Sequence, residues 1–292
     1  MNDEEIRKRI DNCPRLGALR SINQTLKELV HAEQQYTGQI AETIRRDPTL
    51  TSRLLKTVNS VFFGLSFQVS RIEDAVLYLG LRRIRELGMA TPIIEEFSDL
   101  NVGFRPVNWR MMWQHNIATA ILTREVLSTF GYQYEDDSDY IVGLVHNVGK
   151  IVMAFGFSDS FDQILRSNPS EDTEHMELEK RFIGWDHAQL GAYYLEQHFL
   201  TDEIVDSVRH HHHPAEAQVS PYLAAAVQLA DHLARSVGIS GIESHHPTHE
   251  AEWRELSGWG ILCEEDEETE RIAVASLRHT LMLLPTIIKG MV

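Results

Sequence analysis

The chain has 292 residues, of which 43% are hydrophobic and 24% charged, a balance typical of folded globular proteins rather than disordered ones. Its formal net charge of −16 disfavours broad contact with nucleic acid and with anionic membranes, because the phosphates of both carry the same sign. The only cysteines, Cys13 and Cys263, lie outside any CxxC motif, so no disulfide framework is expected.

The N-terminal segment and an arginine cluster near residue 83 bear on cellular location and on nucleic-acid binding. Residues Met1–Cys13 are amphipathic and lack the apolar core of a signal peptide, and no run approaches the roughly 18 apolar residues of a membrane span. Arg82, Arg83 and Arg85 cluster, but Glu86 follows and no aromatic residues interleave. We therefore expect a cytoplasmic protein that binds neither membranes nor nucleic acid.

Helical periodicity dominates the first hundred residues. In "DPTLTSRLLKTVNS", Asp47 is a predicted N-cap and Pro48 occupies the first turn. In "SRIEDAVLYLG", Ser70 and Glu73 have the spacing of a capping box, and Gly80 is predicted to end the helix. The predicted apolar face of that helix consists of Ile72, Val76, Leu77 and Leu79.

The second part of the chain is also predicted to be helical. Gly103 and Pro106 interrupt the pattern within residues 98–108, and a new set of helices is predicted from Trp109 onward. Loops are predicted at residues 167–175 and 238–250, before a C-terminal helix at about 268–284. Because strand patterns are scarce, we predict an all-α fold with an N-terminal helical part, residues 1–106, and a helical core, residues 107–292.

Histidines are placed at informative positions in this second part. His115 lies within a predicted helix, and His187 begins another for which Asp186 is the predicted cap. His146 directly follows an apolar run, so it is expected to be buried, and a buried neutral imidazole must hydrogen-bond both ring nitrogens or bind a metal. Each of these taken alone is also compatible with an ordinary core histidine.

Two further sequence features are also compatible with a metal centre. The tetrad His210–His213 ends a predicted helix before Pro214, where it is either a solvated helix end or a metal-binding cluster. Asp231 lies on an apolar helix and needs a cation, a metal or several donors, because an unpaired buried carboxylate is strongly disfavoured. Together these side chains come from five helical segments, as a metal centre in a helical bundle requires.

The quoted motifs resemble the HDOD family, a bacterial branch of the HD superfamily. The first half carries "DPTLTSRLLKTVNSVFFGL" and "VSRIEDAVLYLGLRRIRELGMA", and the second half carries "WQHN", "GLVHNVGK", "DHAQLGAYYLEQ", "VRHHHHP" and "LADHLA". The resemblance covers roughly residues 16–234, within a unit of about 12–240. It implies an N-terminal helical subdomain packed on an HD-like helical core.

The resemblance also implies a set of metal ligands. Related HD and HD-GYP phosphohydrolases hold one or two ions with a first histidine, an HD pair, later histidines and a final aspartate. On this chain the corresponding ligands for Fe, Mn, Zn or Ni are His115, His146, His187, His211, His212 and Asp231.

This sequence departs from the pattern at Asn147, which stands where the active relatives have the bridging aspartate of the HD pair. An amide offers only a weak neutral oxygen and cannot supply negative charge to two cations. The GYP signature is also absent after "HHHHP". The alternative is a purely structural role, in which the Asn147 side chain caps or hydrogen-bonds a neighbouring helix.

Three functions follow from the resemblance. The first is a non-catalytic signalling protein that acts through protein partners, as HDOD members are generally regarded. The second is a metal-dependent phosphohydrolase with a degenerate site, in which Lys150, one turn after His146, contacts phosphate rather than being a surface lysine. The third is a metal or redox sensor in which ligation orders the core.

Overall fold

The all-α prediction is confirmed by the computed structural model. It describes residues 1–13, 51, 55, 58–59, 68–80, 108–134, 138–167, 172–197, 200–241, 250–263 and 267–291. Every regular element in these ranges is helical. The predicted features at Asp47, Pro48 and residues 98–107 lie outside the described residues.

The helices follow one another in a simple chain order. The α-helices of the described ranges are α1 (Asp3–Asp11), α2 (Ile72–Leu79), α3 (Trp109–Thr129), α4 (Ser138–Val145), α5 (Val148–Gly156), α6 (Ser158–Ser167), α7 (Asp172–Phe182), α8 (His187–Gln197), α9 (Asp202–His210), α10 (Pro221–Ser236), α11 (Glu250–Trp253), α12 (Ser257–Leu262) and α13 (Glu267–Met291). A 3-10 turn at Pro214–Glu216 connects α9 to α10.

Helix α10 lies at the centre of the core. Its sequence "PYLAAAVQLADHLARS" is rich in alanine and leucine, and all but a few of its side chains are buried. It packs along α3, which also contacts α4 and α13, while α9 and α12 pack against other faces of α10. The small alanines allow the neighbouring helices to approach closely, so polar side chains on α10 are held away from water.

Two helix crossings depend on glycine. A Cβ atom added at Gly149 of α5 would lie 1.8 Å from the backbone oxygen of His187, at the start of α8. A Cβ at Gly143 of α4 would lie 2.5 Å from the Cα atom of Ala120 in α3. Because the clashing atoms belong to the backbone, only glycine permits these contacts, which bring α5 against the start of α8 and α4 against α3.

Helix α1 packs onto the same core. Ile6 and Ile10 are completely buried, and α1 contacts α5. The Trp185 indole N–H donates to Asp3 at 3.0 Å, and the Tyr193 hydroxyl donates to Asp11 at 3.0 Å. The first helix is therefore fastened to the segment that carries His187, although most of the predicted N-terminal part lies outside the described residues.

Several local predictions were accurate and others were wrong. Gly80, with φ +81°, ends α2 as predicted, and α3 begins at Trp109 with Asn108 as its N-cap. The Ser70 capping box is wrong, because Arg71 is the N-cap of α2 and makes no side-chain capping bond. Leu77 is 74% exposed, since it projects about 100° around the helix from the buried Val76.

Two predicted boundaries also change. Residues 172–175 of the predicted loop belong to α7, which begins at Asp172, while residues 168–171 lie outside the described residues. The C-terminal helix is longer than predicted and extends over Glu267–Met291. In the described ranges, no single helix combines the length and hydropathy needed to cross a membrane. Ser138–Gly156 and Ser158–Ser167 meet that requirement only as a pair, with a 115° bend between them.

Candidate metal centre

The six predicted ligands converge in the interior of the helical core. His115 comes from α3, His146 follows α4, and His187 is the first residue of α8. The remaining ligands are His211 and His212, just after α9, and Asp231 of α10. All are buried except His212, which is half-buried. The side chains form two groups of three, and within each group the ligand atoms lie within 4.8 Å of one another.

The first group, which we call the acidic half, comprises His115, His146 and Asp231. Nε2 of His115 lies 2.8 Å from Oδ1 of Asp231, and Nε2 of His146 lies 3.8 Å from the same oxygen. The Nδ1 atoms face backbone carbonyls, Ile239 at 2.9 Å and Gly143 at 2.7 Å. Since a carbonyl can only accept, each Nδ1 carries a proton and each Nε2 faces the centre.

The second group, the imidazole half, comprises His187, His211 and His212. Nε2 of His187 lies 2.9 Å from Nε2 of His212. Nδ1 of His187 donates to a Glu179 carboxylate oxygen at 2.8 Å, and that oxygen also accepts from the His187 backbone N–H at 2.8 Å. Nδ1 of His211 donates to the Val208 carbonyl at 2.7 Å. This half repeats the arrangement in which an anchored Nδ1–H turns Nε2 toward a metal.

The two halves form one continuous cluster of rings. The centroids of His146 and His211 lie 5.4 Å apart in an edge-to-face contact that joins the halves. His115 lies 5.5 Å from His146, and His187 lies 5.5 Å from His211. The predicted ligands therefore meet in a single centre; that they bind metal stays a prediction.

Burial controls the charge of the two histidines at this junction. The pKa of His146 is held well below its usual value of 6.5, first by burial and then by the neighbouring His115. Lys150 and Arg235 lower that pKa further. Burial also lowers the pKa of His211 well below 6.5, with the surrounding imidazoles adding to the effect. Both rings are consequently neutral, the form that binds a metal.

Asn147 is the N-cap residue of α5, but its side chain does not cap the helix. It stands at the start of α5, makes no side-chain capping bond, and is only 4% exposed. Its Nδ2 lies 2.6 Å from Nε2 of His146. Because Nδ1 of His146 holds the ring proton, Nε2 accepts this hydrogen bond, and the amide contacts the nitrogen that would face an ion.

One functional residue of the acidic half was missed from sequence. Arg235 lies one turn after Asp231 on α10; its Nη2 pairs with Oδ2, and its Nε donates to Oδ1 at 3.3 Å. Both residues are buried. The sequence rule that a buried carboxylate needs a cation therefore holds, and the i, i+4 spacing to an arginine was the available signal.

A second missed group supports the imidazole half. Glu179 of α7 is only 1% exposed, and its hydrogen bonds fix the ring of His187. Asp186 caps α8 as predicted, because its carboxylate accepts from the Gln189 N–H at 2.8 Å. No local pattern in the sequence indicates that Glu179, eight positions before His187, faces inward.

The His211–His212 segment is also tied to the C-terminal part of the chain. Gln228 of α10 donates from Nε2 to the His212 carbonyl at 2.9 Å. Its Oε1 accepts from the Gly258 N–H at 2.8 Å, at the start of α12. A single buried amide therefore connects the centre to a helix outside it.

The donor set of the centre fits a divalent ion. Nε2 of His211 is buried, and no residue in the described part of the chain hydrogen-bonds it. Such a nitrogen is costly to bury unless it binds something, and a metal satisfies it without a proton. The imidazole ligands suit borderline ions such as Zn²⁺, Ni²⁺ or Fe²⁺.

Comparison with known sequences places the chain among proteins of one domain type. The family model described as HDOD domain matches residues 16–214. An uncharacterized protein of Treponema pallidum is 24% identical over 213 residues, which are 71% of this chain and 39% of that protein. The chain thus spans about two fifths of the length of this curated relative.

Solved structures share the fold at low sequence identity. An HDOD domain protein of unknown function from Geobacter sulfurreducens matches with a TM-score of 0.71 and 22% identity, covering 93% of this chain and 92% of that one. A candidate phosphohydrolase from Shewanella amazonensis gives 0.68 and 20%, covering 98% of each chain. A candidate signal transduction protein from Marinobacter aquaeolei gives 0.62 and 20%, covering 94% of this chain and 59% of that one.

Proposed function

Because the chain belongs to the HDOD family, we propose that it is a regulatory signal-transduction protein that acts through a protein partner and does not hydrolyse phosphate esters. Its histidine centre would bind a divalent ion that organises the core. The likeness to the Marinobacter protein, itself described as a candidate signal transduction protein, supports the regulatory class.

The observation that carries the proposal is the contact between Asn147 and His146. At the position where the resemblance expects a bridging carboxylate, a neutral amide donates to Nε2 of His146 at 2.6 Å. Hydrolysis by a metal centre depends on anionic ligands that hold the ions and on a bound water whose pKa they help to set. An amide that donates into the centre supplies neither function.

Hydrolase activity tests this proposal directly. The purified protein, loaded with Mn²⁺ or Fe²⁺, is assayed against nitrophenyl phosphate esters, nucleotides and cyclic dinucleotides. We expect no turnover above a blank without protein. Asn147→Asp restores the acid and is expected to create turnover, whereas Asn147→Ala, the matched control, removes the amide without adding charge and stays inactive. Clear hydrolysis by the unmodified chain contradicts the proposal.

The partner is tested separately with the full chain as bait. Crosslinking in living cells followed by mass spectrometry should recover the same protein with the wild type and with Asn147→Ala, because neither form depends on catalysis. Recovery of no specific protein, together with hydrolysis in the assay, would favour the enzyme.

One observation favours a metal-dependent phosphohydrolase as the second candidate function. Lys150 is half-buried, and its charge contributes to the lowered pKa of His146, so a cation stands beside the centre where a phosphate would bind. In that case Lys150→Gln should raise KM for a phosphate ester more than it lowers kcat. Equal loss in both parameters would argue against phosphate binding by this lysine.

A further inference from the structure

Arg235 distinguishes the acidic half from the imidazole half. Its guanidinium contacts both carboxylate oxygens of Asp231, and the two side chains are only 9% and 3% exposed. They lie one turn apart on the same helix, a spacing that brings the two side chains together. Such a charge-assisted pair, removed from water, neutralises the only carboxylate among the six predicted ligands.

We infer that Arg235 acts as a built-in cation of the acidic half, so that a single divalent ion binds in the imidazole half, at His187, His211 and His212. The inference deepens the proposed function, on which it rests, by stating where in the same centre the ion lies and which residue keeps a second one out.

Repulsion from Arg235 is the first reason why an ion is not expected in the acidic half. An ion bound to Asp231 and His115 would lie within a few ångströms of the guanidinium, because Nε of Arg235 and Nε2 of His115 approach the same Oδ1 at 3.3 and 2.8 Å. Two cations at that distance repel strongly where water is excluded. The carboxylate attracts the ion, but the guanidinium cancels that attraction.

The hydrogen bond made by His146 is an independent reason why the acidic half does not bind an ion. Nε2 of His146 accepts a hydrogen bond from Asn147 at 2.6 Å. An ion in the acidic half would therefore have to break this bond as well as the Arg235 pair. Two of the three predicted ligands of this half are already engaged by donors.

In the imidazole half the Nε2 atoms of His187 and His212 contact each other at 2.9 Å, so an ion there replaces a contact between two ligands rather than one with a cation. Nε2 of His211 accepts no hydrogen bond from any described residue, so binding an ion costs no existing contact at that atom. Glu179 adds negative charge behind His187 and fixes the tautomer in which Nε2 is the ligand atom. Three imidazoles form a ligand set that Zn²⁺ accepts through unprotonated Nε2 atoms, with a further position for water.

Zn²⁺ stoichiometry of the full chain tests the inference. Native mass spectrometry and calorimetric titration should show a single tightly bound equivalent. His187→Gln and His212→Gln are expected to lose it, whereas the matched His115→Gln should retain it with little change in affinity. Two tight equivalents in the wild type, none, or equal loss in His115→Gln and His187→Gln would each overturn the inference.

The role of Arg235 is tested by a pair of substitutions. Arg235→Gln removes the cation and should allow a second equivalent of Zn²⁺ to bind, whereas Arg235→Lys keeps the charge and should still bind only one. If both variants bind only one, Arg235 does not exclude the ion. Should Arg235→Gln fail to fold, the histidine variants above still decide where the ion lies.

Different results contradict the single-ion site and the proposed function. Absence of bound Zn²⁺ overturns the present inference and the ion binding in the proposed function, but it leaves the non-hydrolytic regulatory role through a protein partner. Turnover by the wild-type chain overturns the proposed function while leaving the measured stoichiometry as it is.

Discussion

The acidic half and the imidazole half contain similar ligands but differ in what surrounds them. Each brings three ligand atoms within 4.8 Å of one another, and in each half two histidines are anchored through Nδ1. A cation stands behind the ligands of the first, and a carboxylate stands behind those of the second. The comparison teaches that the residues contacting the ligands, more than the ligands themselves, determine what such a centre can bind.

The substitution with the largest expected effect disrupts the contact between α5 and the start of α8. Gly149→Ala places a Cβ atom against the backbone of His187, and neither helix can yield without moving a ligand. We expect a loss of about 3 kcal/mol in the free energy of unfolding, measured by urea denaturation.

Gly156, at the end of the same helix, provides the control. No atom lies within 4 Å of a Cβ added there, so Gly156→Ala should be neutral or stabilise by about 0.5–1 kcal/mol. Equal losses in the two variants would show that the crossing at Gly149 is not what holds the halves in place.

The next prediction concerns pH and involves one histidine from each half. The folded-state pKa values of His146 and His211 lie well below 6.5, so the unfolded chain binds more protons as the pH falls below that value. Stability is therefore fully present above about pH 6.5 and is lost below it, by up to about 2.7 kcal/mol per pH unit for the pair. Urea denaturation with a chelator present measures this slope.

His211→Gln sharpens this test because it removes one titrating ring. The slope below pH 6.5 should fall by about 1.4 kcal/mol per pH unit, and His146→Gln should do the same. A slope that is unchanged in both variants would assign the acid sensitivity to other groups.

A smaller effect is expected from the carboxylate behind the imidazole half. Glu179→Gln keeps an oxygen near His187 but removes the charge, so Zn²⁺ affinity should fall by about 10- to 100-fold. Glu177→Gln, on the exposed face of the same helix, is the matched control and should leave the affinity unchanged. Calorimetric titration separates the two, and an equal response would remove Glu179 from its orienting role.

The smallest effect concerns the helix start that presents His187. Asp186→Ala removes the side chain that caps α8 and should cost about 1 kcal/mol of unfolding free energy. Asp186 also pairs with Lys180 at 3.0 Å, and Lys180→Ala isolates that contribution. Because the Lys180 side chain is 48% exposed, the lysine variant should lose less than about 0.5 kcal/mol.

Much of the fold and the centre could be predicted from the sequence, because the signals were local or came from long motifs. Helical periodicity predicts the all-α fold, Gly80 predicts the end of α2, and the break at Gly103 and Pro106 predicts the helix that begins at Trp109. For the tetrad His210–His213, both predicted alternatives hold in part. His211 and His212 face the centre, while His210 pairs with Asp206 at 3.6 Å and His213 is exposed.

The remaining features depended on tertiary contacts that no local pattern contains. Glu179 and His187 meet because the chain turns back between α7 and α8. The hydrogen bond from Asn147 to His146 depends on which ring nitrogen carries the proton, and this is set by a carbonyl of another turn. Arg235 was within reach of sequence reasoning, since it lies four residues after the carboxylate that needed a cation.

The buried amide of Gln228 links the centre to a helix outside it. It holds the His212 carbonyl on one side and the first turn of α12 on the other, with hydrogen bonds of 2.9 and 2.8 Å. If His212 moved to meet an ion, this short tether would either pull α12 along or break. A movement confined to the interior would thus reach a helix that is partly exposed.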